Sequence, residues 1–453
     1  MLSDSIRRLA NAWNVRYTNA VNVNEINQAL ASGQIDQRGV FPRLDELAKA
    51  PYNFPVDFGL SKLPQEAGLL LIRGARQYGK STWLEDQLRS TIRNYGSGSA
   101  YYLNGDEIPN ARALAEALGK LLPSFNAHAA VRRLFIDEIA AIDDWESVLK
   151  RSIDSGELRS TLVVTTGSKA KDLRRGAERL PGRKGRLSRT HYLFTPIPYA
   201  AFKRLCGRRL GRNTLTAYLL SGGSPAALGE LATEGRLPEY RVASVHDWIY
   251  GECSASGRSR ASLLSVMEHL TLHGGSPIGQ AKLAREAGLA NNTVAAGYLD
   301  LLGDLLCLGQ SAAWDPSKRL RLARKPAKYP FINLLAAVAW HPSRIRSIDD
   351  FARLEDADQA PFLEWAVAQE IWRRRAIEGD DFPELSAFWQ SKEHELDYVQ
   401  APDRFLEVKR GHASALEFSW FPKVFPKGRL TVVNAGRFET AQMIGVTLED
   451  FLT

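Results

Sequence analysis

Gly74-Ala-Arg-Gln-Tyr-Gly79-Lys80-Ser81-Thr82 follows the apolar run Gly68-Leu-Leu-Leu-Ile72 and precedes an amphipathic stretch marked by Trp83, Leu84, Leu88 and Ile92. The pattern is G-x-x-x-x-G-K-[ST], set between a strand and a helix, the context in which this motif has a physical mechanism. Glycines at both ends let the backbone bend until successive N–H groups point inward. Gly74, Ala75, Arg76, Gln77, Tyr78, Gly79, Lys80, Ser81 and Thr82 are therefore expected to cradle a phosphate chain. The helix that follows adds the positive end of its dipole. Lys80 is placed to reach the β- and γ-phosphates, and the Ser81 hydroxyl to take one coordination position on a Mg²⁺ ion that keeps most of its waters. ATP with Mg²⁺ is the expected ligand.

Working outward, Ser99-Ala-Tyr-Tyr-Leu103 is a short β-rich run ending in Asn104, Gly105, Asp106 and Glu107. Polar residues at the end of a parallel strand suit the ligand edge of an α/β sheet. Asp106 fits two roles, facing a nucleotide or capping the next helix, and the cap is the expectation because Asp commonly starts helices. Arg132-Arg-Leu-Phe-Ile-Asp137-Glu138 is an apolar strand ending in two carboxylates, the form of a Walker B motif. Asp137 is expected to hold Mg²⁺ through water. Glu138 is expected to polarise the attacking water, since phosphoryl transfer rests on positioning and charge stabilisation. Ser160-Thr-Leu-Val-Val-Thr-Thr166-Gly167-Ser168 is a further buried-type strand. Its hydroxyls at Thr166 or Ser168 fit a γ-phosphate sensor and fit an ordinary strand end equally.

Residues 169–189 carry Lys169, Lys171, Arg174, Arg175, Arg179, Arg183, Lys184, Arg186 and Arg189 against only Asp172 and Glu178. Three readings fit this run: a solvated loop, a nucleic-acid contact, or the source of an arginine completing the ATP site of a neighbouring subunit. Arg183, in Leu180-Pro-Gly-Arg183, is the candidate for the last role, which would require a homo-oligomer.

The chain has 453 residues, room for about three domains of ordinary size. Its 59 Lys and Arg exceed 51 Asp and Glu, a net charge of +8 that favours anionic partners such as nucleotides or DNA. Cys206, Cys253 and Cys307 are far apart and lack the C-x-x-C spacing of a zinc or redox site, so reduced, buried thiols are expected. No apolar run approaches the roughly 18 residues of a membrane span, and no charged-then-apolar leader opens the sequence. A cytoplasmic protein with no membrane partner is the expectation. Residues 1–66 mix helical patterning with a polar middle and read as an N-terminal extension around the nucleotide domain.

The succession LIRGARQYGKST, LFIDEI, VVTTGS, LPGR and FTPIPYAAF resembles prokaryotic AAA-type ATPases of the archaeal-ATPase-like group, over residues 40–450. By position, the resemblance implies ATP-site roles for Lys80, Ser81, Asp137, Glu138 and Thr166. The chain departs from the family at Ala75, where proline is usual, and at Tyr78, where valine is typical; neither change touches the lysine or the hydroxyl. Leu219-Leu-Ser-Gly-Gly-Ser-Pro225 matches the family's helical lid, with glycines suited to a hinge.

Lys282-Leu-Ala-Arg-Glu-Ala-Gly288-Leu-Ala-Asn-Asn-Thr293 and the helix after it read as a helix-turn-helix, with Asn291, Asn292 and Thr293 opening the second helix. Lys318, Arg319, Arg321, Arg324, Lys325 and Lys328 form an expected basic wing that would neutralise phosphates. The second helix carries no Arg or Lys able to fork onto guanine. Sequence-nonspecific DNA contact and a protein-packing winged helix both fit.

Beyond residue 356, a helix containing Phe362-Leu-Glu364-Trp is followed by Glu395-Leu-Asp397-Tyr-Val-Gln and Phe405-Leu-Glu407-Val-Lys409, joined at Ala401-Pro-Asp-Arg404. A hairpin turning at Pro402 and Asp403 sets Asp397 within one position of opposite Glu407, with Lys409 on the same face as Glu407. The D-x(9)-E-x-K spacing resembles the restriction-endonuclease-like core, with Glu364 as that fold's helix acid. The resemblance implies that Glu364, Asp397 and Glu407 bind Mg²⁺ and that Lys409 orients the attacking water. A hairpin with solvent-facing charges fits the spacing alone. Glu370 is the alternative acid, roughly 240° around the helix from Glu364, so only one of them faces the hairpin.

The expected fold class is α/β: a P-loop NTPase parallel sheet with a helical lid, then a winged helix, then an α+β restriction-endonuclease-like domain. The expected divisions are an extension at 1–66, an ATPase core at 67–205, a lid at 206–242, a winged helix-turn-helix at 243–355 and the last domain at 356–453. Two functions fit: a DNA-directed ATPase with a metal-dependent nuclease tail, and a nucleotide-driven regulatory or defence switch whose tail binds a partner and cuts nothing.

Overall fold

The structure, a computed structural model, describes residues 22–168 and 185–453. Arg183 and the run from Lys169 to Lys184 lie outside the described residues. The chain separates into two compact units. One comprises residues up to Asn53, Lys62–Arg73 and Gly79–His191, the other Phe54–Ser61, Gly74–Tyr78 and Tyr192–Thr453.

The first unit is organised by strands β1 (Gly68–Arg73), β2 (Ala100–Asn104), β3 (Arg132–Asp137) and β4 (Thr161–Gly167), and β5 (His191–Leu193) starts at its last residue. They lie in the order β2-β3-β4-β1-β5. β1 to β4 pair in parallel. Strands of such sheets are covered on both faces and so read as unbroken apolar runs, which is how Leu-Leu-Leu-Ile and Leu-Phe-Ile become buried. Leu69, Leu71, Leu134, Ile136 and Val163 pack with Leu114, Leu118, Trp145 and Leu149 in one core. Each fully buried side chain of this kind contributes about 1.5–3 kcal/mol.

β4 comes last of these four strands in sequence yet lies between β1 and β3. Ile72 stands beside Thr166, and Thr165 beside Ile136. This insertion delivers the phosphate-loop strand, the hydroxyl-bearing strand and the acid-bearing strand to one sheet edge. On the opposite side of β3, the helix Val23–Ser32 covers the outer strand. Asn27 donates its amide to the Tyr102 carbonyl at 2.9 Å and accepts from the Tyr102 N–H at 2.8 Å, standing in for a missing strand neighbour.

The second unit opens with helices Tyr199–Leu210, Thr214–Ser221, Pro225–Glu234 and Glu239–Ala255. The divisions expected after 205 and 242 therefore fall inside helices. Gly222 and Gly223 have positive φ. A Cβ at Gly222 would lie 2.6 Å from the Leu335 nitrogen and one at Gly223 2.8 Å from the Ile197 carbonyl oxygen. These glycines permit close packing at the turn where the sequence reading places a hinge.

Gln280–Glu286 and Asn292–Asp304 are two helices joined by a turn with Gly288 at φ 65°, and the Asn291 side chain caps the second. Strands β6 (Gln310–Asp315) and β7 (Leu320–Arg321) make an antiparallel hairpin, and β8 (Ala327–Lys328) pairs with β6. The other edge of β6 pairs in parallel with β9 (Leu385–Gln390), Gln310 opposite Leu385. β10 (Glu395–Leu396) continues this sheet. The division expected at 355/356 is thus crossed by a sheet.

A third sheet has the order β11-β12-β13-β15-β14, with β11 Tyr398–Ala401, β12 Arg404–Val408, β13 Arg429–Val433, β14 Phe438–Glu439 and β15 Met443–Val446. β12, β13 and β15 are parallel, and β11 returns antiparallel against β12. The continuous strand expected over Glu395–Gln400 is split at Asp397, because Leu396 pairs with Trp389 in one sheet and Tyr398 with Leu406 in the other.

Candidate functional sites

Gly74–Gly79 turns the chain from β1 into the helix Lys80–Tyr95. Gln77 at φ 68° and Gly79 at φ 95° occupy the left-handed region, which aims consecutive amides to one side of the turn. The helix begins with no side-chain cap, as suits a helix start whose first N–H groups face an anion. Lys80 is 5% exposed and Gly74 and Ala75 are buried, while Ser81 and Thr82 are half-buried and Arg76 is exposed.

Asp137 ends β3 at 2% exposure and accepts a hydrogen bond from the Thr166 hydroxyl. The Thr166 oxygen in turn accepts from the Glu138 N–H at 3.1 Å. Thr166 therefore orients both acidic residues. Glu138 has φ 45°, a left-handed conformation that costs a side-chain-bearing residue about 1–2 kcal/mol. Its carboxylate accepts from the Ser168 N–H at 3.0 Å and from the Ser168 hydroxyl at 3.1 Å.

The neighbouring Gly105 packs so closely that a Cβ would stand 2.3 Å from the Glu138 carbonyl oxygen, so only glycine fits beside this turn. Asp106 lies in a short 3₁₀ turn, and the helix Ala111–Leu121 is capped by Asn110; the capping role expected of Asp106 belongs to Asn110. Asn is as good a cap as Asp, and Asn110 sits directly before the first helical turn.

One buried carboxylate and one hydroxyl, Asp137 and Ser81, match the hard oxygen chemistry of Mg²⁺, which keeps several waters and takes phosphate oxygens for the rest. Among the described residues no group of three His, Cys, Asp or Glu is disposed to hold a metal. Removing the Ser168 hydroxyl tests its hold on Glu138. Ser168→Ala is expected to lower the turnover number for ATP at least about tenfold with KM unchanged, the size of one lost hydrogen bond to a charged group. Steady-state kinetics check it.

Within the second unit, Tyr78 is buried and its hydroxyl donates to the Gly222 carbonyl at 3.1 Å, and the Ser224 hydroxyl donates to the Gln77 carbonyl at 3.0 Å. Burial and the Tyr218 hydroxyl nearby push the Tyr78 phenol well above its usual range. A tyrosine in place of valine thus acts as a hydrogen-bonding wedge. Arg241, whose role is not legible in the sequence, is paired with Glu230 at 2.7 Å and directs a second nitrogen to the Gln77 side chain at 3.4 Å.

The tail's acids also converge. Asp397 stands opposite Glu407, its N–H donating to the Glu407 carboxylate at 3.2 Å, while its own carboxylate accepts from the Val408 N–H at 2.8 Å. Lys409 pairs with Glu407 at 2.5 Å. Glu364 reaches the same place from the helix Asp356–Glu378. Glu370 is turned away and held by Arg373 and Arg374.

The unexpected member is Lys328. Its place in the sequence assigns it to the basic wing, but it is 2% exposed, and its ammonium lies 2.5 Å from Glu395, 2.7 Å from Asp397 and 3.5 Å from Glu364. The correction follows from β8 pairing with β6, which carries the lysine inward while Lys318, Arg319, Arg321, Arg324 and Lys325 stay exposed. Burial alone would discharge this lysine, yet Asp397, Glu364 and Glu395 hold it charged, above its ordinary range. Burial and then Asp397 push Glu364 up to about 7, and the same causes push Glu407 up to about 8 despite Lys409. The ammonium occupies the space between Glu364 and Asp397, so the residues as arranged do not fit a divalent ion there.

Residues 66–197 match the family model described as an AAA domain. The sheet order and the motif placement above agree with that match over this segment. Solved structures that resemble the chain include a Walker-type ATPase of Pyrococcus abyssi, 14% identical, covering 68% of this chain and 95% of that one with a TM-score of 0.40. A variant of Thermotoga maritima RuvB is 15% identical, with coverages of 54% and 82% and a TM-score of 0.31. The Aeropyrum pernix ORC2 protein is 12% identical, with coverages of 60% and 87% and a TM-score of 0.33. No curated protein sequence matches the chain. No helix among the described residues is long and apolar enough to cross a membrane.

Proposed function

We propose that the protein is a Mg²⁺-dependent ATP phosphohydrolase. The observation that supports this best is the joined pair Asp137–Glu138, with both acids oriented by hydroxyls of β4 and its end. Lys80 binds the outer phosphates, Asp137 and Ser81 are the residues that would hold Mg²⁺, and Glu138 accepts the proton of the attacking water. Bound Mg²⁺ neutralises charge developing on the phosphates. Arg183 is the candidate for further charge stabilisation, in its own subunit or across a homo-oligomer. Phosphate release from ATP by the purified chain, with Mg²⁺ and with Mg²⁺ chelated, tests the reading; no release in either condition sinks it.

For the remainder of the chain, the exposed cations of the β6–β7 hairpin and its flank support contact with the DNA backbone. Lys328 among the tail's acids favours the nucleotide-driven switch over a constitutively cutting nuclease. Plasmid incubated with the wild-type chain and Mg²⁺ or Mn²⁺ is expected to remain supercoiled. Nicking that disappears in Asp397→Ala would restore the nuclease reading for Glu364, Asp397, Glu407 and Lys409.

A further inference from the structure

We infer that Lys328 is a built-in counter-ion that closes the tail's acid cluster to divalent cations, and that removing its charge converts the cluster into a Mn²⁺ or Mg²⁺ site. The inference rests on the reading of Glu364, Asp397 and Glu407 as a nuclease-like arrangement and concerns what occupies it.

Two elements outside the tail helix and hairpin enclose the cluster. Lys328 enters from the two-residue strand β8, which is flanked by Pro326 and Pro330 and tied to β6 and to Ile278. Gly275, in the turn leading to the helix Gln280–Glu286, lies so close to Glu364 that a Cβ would stand 2.3 Å from its Oε2. The ammonium is in contact with three carboxylates and lies 5.6 Å from the centre of the Phe388 ring, a setting in which an unpaired charge is strongly disfavoured.

A single ammonium and a divalent metal compete for the same oxygens. Four carboxylates, Glu364, Glu395, Asp397 and Glu407, face two lysines, Lys328 and Lys409. With Lys328 neutral, the negative excess has no internal partner among Glu364, Glu395 and Asp397, and a hard cation with oxygen ligands becomes the favoured occupant. Metal access to the tail is therefore coupled to where β8 lies.

The test uses the full chain stripped of nucleotide and metal, with Mn²⁺ uptake read by electron paramagnetic resonance. Wild type is expected to take up no Mn²⁺ that the Asp397→Asn change removes. Lys328→Met is expected to take up about one additional Mn²⁺ per chain, lost again in Lys328→Met/Asp397→Asn, with ATP hydrolysis unchanged. Equal uptake by wild type and Lys328→Met overturns the inference. So does wild-type uptake that Asp397→Asn abolishes.

If Lys328→Met does not fold, amine acetylation of wild type followed by peptide mass spectrometry decides. Lys328 is expected to react at least tenfold more slowly than Lys325, both without metal and with millimolar Mn²⁺, because the ammonium stays on its carboxylates. Labelling of Lys328 as fast as that of Lys325, or labelling that Mn²⁺ raises to that level, overturns the counter-ion role. Plasmid nicking separates the two readings: Lys328→Met that binds Mn²⁺ without nicking DNA upholds the counter-ion and removes the nuclease.

Discussion

Glu138→Gln is expected to bind ATP within about twofold of wild type and to hydrolyse it about 10²–10³-fold more slowly, the usual loss when a positioned general base is removed. The substitution is nearly isosteric. The Ser168 N–H still finds an acceptor in the side-chain carbonyl of the introduced glutamine, and the peptide N–H of position 138 keeps its bond to Thr166. What disappears is the ability to accept a proton. Equilibrium binding of a fluorescent ATP analogue and single-turnover phosphate release separate the two effects. Hydrolysis at the wild-type rate would remove Glu138 from the mechanism and direct attention to the residues outside the described segments.

The second large effect is at Lys80. Lys80→Ala is expected to weaken ATP binding at least about 100-fold, since two charge-assisted hydrogen bonds, one to each outer phosphate, of roughly 1.5–3 kcal/mol each are lost. Titration calorimetry of both proteins, with thermal unfolding as a control, checks it. Unchanged affinity would mean that the loop at 74–82 does not hold the triphosphate.

Much of the first unit was legible in sequence because its signals are local. A glycine-framed turn, a lysine and a hydroxyl are consecutive residues, and the acids of β3 follow one apolar run. The role of Thr166 was only half legible. A hydroxyl at a strand end pointed to the site, but its bonds to Asp137 and the Glu138 peptide depend on β4 lying between β1 and β3. Ser168 stands out in sequence for its hydroxyl, and its attachment to Glu138 arises from the left-handed turn at that residue. Asp106 shows the opposite case: a residue type favoured at caps yielded to Asn110, which stands at the helix start itself.

The tail follows the same division. The facing of Asp397 and Glu407 was predictable from a two-residue turn and the alternation of strand side chains, and the pairing of Tyr398 with Leu406 agrees with it. Lys328 was not predictable, because in sequence it is one more cation in a basic run.

By itself, then, the sequence determined the phosphate loop, the acid pair after it and the hairpin that aligns two further acids, since each depends on backbone periodicity over a few residues. Only tertiary structure decided what neutralises those acids. Strand β8 brings Lys328 to Asp397 across 69 positions of chain, and electrostatic pairing over such a separation is set by sheet order and burial, which no local pattern encodes.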